Sequence, residues 1–331
     1  MTAPPRRRAL LLGGLAAMPL PALPRAGRGQ GAWPARPVTL VVPFAAGGVT
    51  DTGARIIAQA IGRILGQPMV VENRAGAGGT IGTDLVVRAP ADGHMVLYGT
   101  QGPIAAAPNL FANLRYDPLR DLVPVHGAGA SPNAICSAPT KPWRTLMEFV
   151  AAARATPDRL TYGSSGVGTS LHLGAEMLQQ QMGVRLVHAP YTNATQAMGD
   201  LISGRIDIMW DFPLTAAPHV REGRLRALAV TDHRRVAMLP DVPTTAEAGL
   251  PGVEMLAWAG LFVPRGTSGP VIATLAAATR EALLDPRVIE FFDGSGIPLW
   301  PDMGTPQFAA FLVKELPRIA ALIRRSGVRP E

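Results

Sequence analysis

The sequence predicts an α/β protein whose sheets are largely parallel, and three observations carry that prediction. Short apolar runs rich in β-branched residues alternate with stretches of helical period through most of the chain, as in strands that take helices on both faces. The junctions between run and helix are rich in glycine, serine and threonine, the residues that βα turns favour. Beyond a basic and apolar leader about 300 residues remain, enough for two domains by the usual size relation. No repeat of solenoid or propeller period interrupts the alternation.

The leader comes first. Arg6, Arg7 and Arg8 precede residues 9–20, which are apolar apart from glycines and a proline. A basic segment followed by an apolar block too short to span a bilayer predicts an export signal over 1–32. The arginines also resemble a loose twin-arginine sequence and leave the export route open; cleavage is expected between Ala26 and Ala32. The formal charge of +7 falls to about +2 once the five arginines of this acid-free segment are set aside. Nucleic-acid binding needs a clustered basic face, and past the leader only Arg234-Arg235 and Arg324-Arg325 are even adjacent. No nucleic-acid partner is expected. Cys136 is the single cysteine, which excludes an intrachain disulfide and a cysteine-rich metal site. Its apolar neighbours Ala134 and Ile135 predict a buried thiol. No second apolar segment reaches membrane-spanning length, so a soluble mature protein without metal or cofactor is expected.

Residues 38–42, stopped by Pro43, predict a strand buried on both faces. After Asp51 the period becomes helical, with Ile56, Ile57, Ala60, Ile61, Ile64 and Leu65 on one side. Gly47 and Gly48 between them admit positive φ and let a ligand reach the main chain; Thr50 or Asp51 is expected to cap the helix. Strand, glycine turn and helix N-terminus make an anion site of free amides at the positive end of a dipole. An ordinary tight turn would read the same way. Residues 67–74 form a second short strand that runs into a glycine-rich turn, and 96–99 a third. The run 122–130 leads toward a second unit. Thr145 and Glu148 spell a capping box that opens a helix to Ala155. Strands follow at 160–163, 184–187, 206–210 and 226–230, with helices at 170–182 and 193–203 between them. After the apolar run 256–263, two helices close the chain. The first covers 268–284. The second starts at Thr305, carries Phe308, Phe311, Leu312, Leu316, Ile319 and Ile323 on one stripe, and should kink at Pro317.

Three motifs in the first half stand in a specific order. Pro43-Phe44 is followed by Gly47, Gly48, Thr50, Asp51, Ala54 and Arg55. Gly66-Gln67-Pro68 leads through Val71-Glu72-Asn73-Arg74 to Gly76, Gly78, Gly79 and Gly82. Asp92-Gly93 leads to Gly99-Thr100. This sequence resembles the solute receptors of tripartite tricarboxylate transporters, the Bug family, nearly position for position. Tyr162-Gly163-Ser164 with Gly166, Gly168, Thr169 and His172, then His188, Pro190 and Tyr191 with Asp200, Gly204 and Asp207, extend the resemblance over nearly the whole chain past the leader. It implies a type II periplasmic-binding-protein fold: two α/β lobes with a hinge and a ligand cleft between them. Lobe 1 would comprise 33–130 and 231–331, and lobe 2 131–230. It further implies an exported, periplasmic, non-enzymatic receptor, monomeric, that takes a small organic acid or amino-acid carboxylate. Its protein partners would be the integral-membrane subunits of such a transporter.

Ligands in open α/β sheets bind outside the carboxyl ends of strands, which places candidate ligand contacts at each βα turn: Phe44, Gly47, Gly48 and Thr50; Thr100 and Gln101; Ser164, Gly168, Thr169 and Ser170; Tyr191 and Asn193. No arginine lies in these turns, so amides, hydroxyls and ordered water are expected to hold carboxylates. Asp51 reads as a helix cap or a ligand contact, and His172 as a contact or a packed imidazole. Asp211 is the one acid placed to meet an amino or hydroxyl group, and equally reads as a cap for a helix near Ala216. Asn193 departs from the basic-glycine step that the family carries after its Pro-Tyr pair; it reads as a polar contact or a cap. A serine hydrolase would use Ser164 or Ser165 with His172 and Asp211, but Val167 stands where a nucleophile elbow needs its second glycine. A ligand-sensing module for a signalling partner would share every feature of a transport receptor.

Overall fold

The computed structural model describes residues 33–191 and 194–328 together with Met1; the expected export signal over 1–32, apart from Met1, and Asn193 lie outside the described residues. From Pro34 onward the chain packs as one unit built on two five-stranded sheets. β1 (Val38–Val42) passes into α1 (Val49–Leu65), β2 (Met69–Asn73), α2 (Thr80–Val87) and β3 (Met95–Thr100). One turn of π-helix over Gly102–Ala106, the short α3 (Ala107–Leu110) and α4 (Pro118–Asp121) lead to the long β4 (Leu122–Pro132). The second sheet follows with β5 (Ala134–Ser137), α5 (Leu146–Ala155), β6 (Thr161–Ser164), α6 (Ser170–Met182), β7 (Val187–Pro190), α7 (Ala194–Ile202), β8 (Ile208–Asp211), α8 (Pro213–Arg221) and β9 (Arg226–Val230). The chain then returns to the first sheet with β10 (Leu256–Pro264) and ends in α9 (Gly269–Ala282), α10 (Pro286–Gly294) and α11 (Thr305–Ser326).

β1 runs inside its sheet, parallel to β2 on one side and β3 on the other, and four of its five residues are fully enclosed. That is why its sequence is a continuous apolar run and not an alternation. α1 buries Ala54, Ile57, Ala58, Ala60 and Ile61 and ends at Gly66, whose φ of 68° makes a left-handed cap. Behind the first sheet Trp258, Phe262 and Phe308 share one core with α11; behind the second, Phe149, Tyr162 and Trp210 anchor another.

The sheets are mixed, not largely parallel. β10 enters between β3 and β4 and runs antiparallel to both, and β5 runs antiparallel to β8 and β9. Both strands arrive from the other sheet and not over a helical crossover, so the rule that forces parallel neighbours does not apply to them. The strand expected at 184–187 lies instead at Val187–Pro190, in register with β6. Val184 and Leu186 are apolar because they fill the core under α6, and the Leu186 amide donates to Gln179 Oε1 at 2.7 Å, not to a ladder. Three helices close the chain, not two: Asp285 caps α10 through the Arg287 amide at 2.9 Å, with Pro286 in its first turn. α11 continues through Pro317 as one element.

The chain passes between the sheets twice, at Asn133 and from Thr231 onward. There the Asn133 amide donates to Thr231 Oγ1 at 2.8 Å, the Thr231 amide donates to the Asn133 carbonyl at 2.9 Å, and Thr231 Oγ1 donates to the Met255 carbonyl at 2.7 Å. No described helix is long and apolar enough to cross a membrane.

Candidate functional site

Four βα turns meet around a cavity of about 500 Å³ between the two sheets, within the size range of small-molecule sites. From the first sheet come Phe44 to Thr50 at the start of α1, and Thr100 to Gly102 after β3. From the second come Ser165 and Thr169 to Leu171 at the start of α6, and Asp211, Phe212 and Thr215 at the start of α8. The first amides of a helix have no partner within it, so the walls present the positive ends of helix dipoles from both sides. Among the described residues no lysine or arginine lines the cavity.

The first turn is held from within by Asp51. Its Oδ2 accepts from the Gly47 amide at 2.8 Å and from Arg55 Nε at 3.0 Å, and its Oδ1 accepts from Asn73 Nδ2 at 2.8 Å. Burial pushes this carboxyl upward, but Arg55, the Gly47 amide and Asn73 together hold it below its ordinary range. Asp51 is therefore neither the expected cap nor part of the cavity wall. α1 begins before it, with Gly48 as its N-cap. Gly47 takes φ +82°, whereas Gly48 takes an extended φ of −78°, so only the first glycine uses the left-handed region. Gly48 is open on its Cβ side, with nothing nearer than the Ala45 carbonyl at 3.8 Å.

Thr100 Oγ1 and Gln101 Oε1 are both buried and without a hydrogen-bond partner, while Gln101 Nε2 donates to Met255 Sδ at 3.2 Å. At the third turn Thr169 caps α6, its Oγ1 donating to the Gly166 carbonyl at 2.8 Å and accepting from the His172 amide at 3.4 Å. His172 sits behind this turn. Its Nδ1 accepts from the Gly168 amide at 3.2 Å, and its ring packs against Tyr162 and His188. Burial, with repulsion from His188, drives its pKa down to about 3; burial alone takes His188 to about 4. At the fourth turn Asp211 Oδ2 accepts from Thr215 Oγ1 at 2.7 Å, and burial lifts this carboxyl to about 6.

Of the candidate residues, Phe44, Gly47, Gly48, Thr50, Thr100, Gln101, Thr169, Ser170 and Asp211 lie on the cavity wall, and Ser164, Gly168, His172 and Tyr191 do not. Tyr191 spends its hydroxyl on Asp200 Oδ2 at 2.9 Å. Ser164 Oγ lies 2.7 Å from His188 Nε2, fully buried. The hydrolase arrangement with Ser164 does not assemble: Ser164 pairs with His188, His172 with the Gly168 amide and Asp211 with Thr215; Ser165 lies on the cavity wall, which His172 does not reach. Among the described residues no group of His, Cys, Asp and Glu is placed to hold a metal ion. Tyr98, Ser131, Trp258 and Phe292 also line the cavity and carry no local signal. Trp258 arrives only because β10 inserts beside β3.

Residues 53–328 match the family model described as the tripartite tricarboxylate transporter family receptor. The chain is 40% identical over 284 residues to a UPF0065 protein from the tcbD–tcbE intergenic region of Pseudomonas sp. (strain P51), covering 86% of this chain and 84% of that one. Similar solved structures include the periplasmic binding protein BugD (34% identity, TM-score 0.84, covering 90% of this chain and all of that one). MatC of Rhodopseudomonas palustris, with bound malate, aligns at 35% identity and TM-score 0.82, over 88% of this chain and 100% of that one. Rpa4515 of R. palustris, with adipate, aligns at 32% and 0.84, over 90% and 100%.

Proposed function

This chain belongs to the tripartite tricarboxylate transporter receptor family, and we propose that it is a non-enzymatic receptor that captures a small carboxylate between its lobes. One observation carries the reading: helix N-termini from both sheets converge on a cavity that, among the described residues, has no lysine or arginine on its wall. Such a site recognises an anion by amides and hydroxyls, without guanidinium. The malate and adipate held by MatC and Rpa4515 support the ligand class. Lobe 1 comprises 33–130 and 231–331 and lobe 2 131–230, joined near Asn133 and Thr231. Phe44, Gly47, Gly48, Thr50, Thr100, Gln101, Thr169, Ser170 and Asp211 contact the ligand; Ser164, Gly168 and His172 hold the α6 turn in place. The protein is exported to the periplasm with 1–32 removed. There, as a monomer, it delivers its ligand to the integral-membrane subunits of a tripartite tricarboxylate transporter.

A thermal-shift screen of residues 33–331 against organic acids, amino acids and aromatic carboxylates tests the reading. One acid should raise the melting temperature with saturation; at a hundred times its Kd a ligand adds about 2.7 kcal/mol to unfolding. Turnover of an ester or amide, with no acid shifting the melt, would overturn it.

A further inference from the structure

Among the described residues Asp211 is the one acidic side chain on the cavity wall, and no lysine or arginine lies there. Asp211 is 3% exposed, at the carboxyl end of β8, with the Thr215 hydroxyl on its Oδ2 at 2.7 Å, the Phe212 amide as its other donor and no cation beside it. The other titratable side chains on the wall are neutral: burial pushes the Tyr98 phenol up and the His219 imidazole down. The lifted carboxyl of Asp211 still ionises below neutrality. An ionised carboxylate is an acceptor only. On the opposite lobe the wall residue Gln101, 1% exposed, turns its Nε2 to Met255 Sδ and leaves Oε1 buried and unpaired. Two wall residues, one from each lobe, thus carry buried acceptors beside a cavity that helix N-termini supply with amide donors.

A buried, unpaired acceptor is costly until a donor meets it, and a buried carboxylate without a cation is more so. A second ligand carboxylate at that end would set like charges together in a medium that screens them weakly. We propose that this cavity selects a monocarboxylate whose far end carries an ammonium group, with Asp211 receiving the ammonium, Gln101 Oε1 assisting, and the helix N-termini of α1 and α6 holding the carboxylate. The inference rests on the receptor reading and deepens it, setting this chain apart from neighbours that hold malate and adipate.

The test is calorimetric titration of residues 33–331 with acids of matched length: glutarate, 4-hydroxybutyrate and 4-aminobutyrate, then adipate, 5-hydroxypentanoate and 5-aminopentanoate. In at least one series the amino acid should bind ten-fold or more tighter than the diacid and the hydroxy acid. Asp211→Asn should cancel that preference and bring the diacid level or ahead. A diacid or hydroxy acid that binds the unaltered protein as tightly overturns the inference while leaving the receptor reading intact. An unchanged ranking in Asp211→Asn does the same. No heat with any of the six overturns the inference and leaves the receptor reading to the wider thermal-shift screen. If the variant does not fold, the ranking on the unaltered protein decides alone.

Discussion

Asn133 and Thr231 face each other where the chain crosses between the sheets, and each donates its amide to the other, Asn133 to the Thr231 hydroxyl oxygen at 2.8 Å and Thr231 to the Asn133 carbonyl at 2.9 Å. Both residues are fully buried, so the two crossing segments form one cross-linked joint and not two free linkers. Thr231→Val keeps the shape but removes the oxygen that also donates to the Met255 carbonyl. It leaves a buried amide and a buried carbonyl short of a partner, each worth about 1–3 kcal/mol. Unfolding in denaturant should show a loss of about 2–4 kcal/mol. A loss below about 0.5 kcal/mol, the scatter of neutral surface changes, would mean that the joint does not depend on this hydroxyl.

Gly48 tests where the anion sits. Its φ of −78° suits any residue and its Cβ side is open, so Gly48→Val adds bulk to the cavity without backbone strain. Valine is a poor N-cap, and the fold should lose about 1 kcal/mol. Affinity for the bound acid should fall at least a hundred-fold. Unchanged affinity in a folded variant would place the anion away from the α1 turn.

Acid should weaken the fold through the imidazoles behind the α6 turn. His172 and His188 have pKa values depressed to about 3 and about 4, against about 6.5 in an unfolded chain. Below pH 6.5 the unfolded state therefore binds more protons, and the stability these groups give above that pH is lost as pH falls toward the folded values. For His172 alone the loss at pH 5 is about 2 kcal/mol. Asp211 and Glu176, both raised mainly by burial, act in the opposite sense. His172→Asn keeps an acceptor for the Gly168 amide and removes the titration. Its unfolding free energy should fall less between pH 7 and pH 5 than that of the unaltered chain, by about 2 kcal/mol; equal slopes would contradict the assignment.

Local signals told most of the story for strands and turns. The buried run of β1, the glycine step before α1, and Thr145 accepting from the Glu148 amide at 3.2 Å are each written within a few residues of sequence. What could not be read locally was set by distant partners. β10 is antiparallel because it comes back from the other lobe, and its pairing with β3 and β4 brings Trp258 to the cavity. The apolarity of Val184 and Leu186 reports packing under α6, which a strand would mimic. Asp51 and His172 have the chemistry of ligand contacts, yet their neighbours Arg55, Asn73 and the Gly168 amide occupy them behind the wall. Gly48 was legible as a glycine at a turn, but its extended φ was not.

If the proposed function holds, a carboxylate sits at the helix N-termini lining the interlobe cavity. Calorimetric titration of residues 33–331 with the acid that most raises its melting temperature, alongside the methyl ester of the same acid, tests this most directly. One acid should bind per chain, and the ester at least a hundred-fold more weakly, since the ester keeps the shape and loses the charge. An ester that binds as tightly as its acid would contradict it.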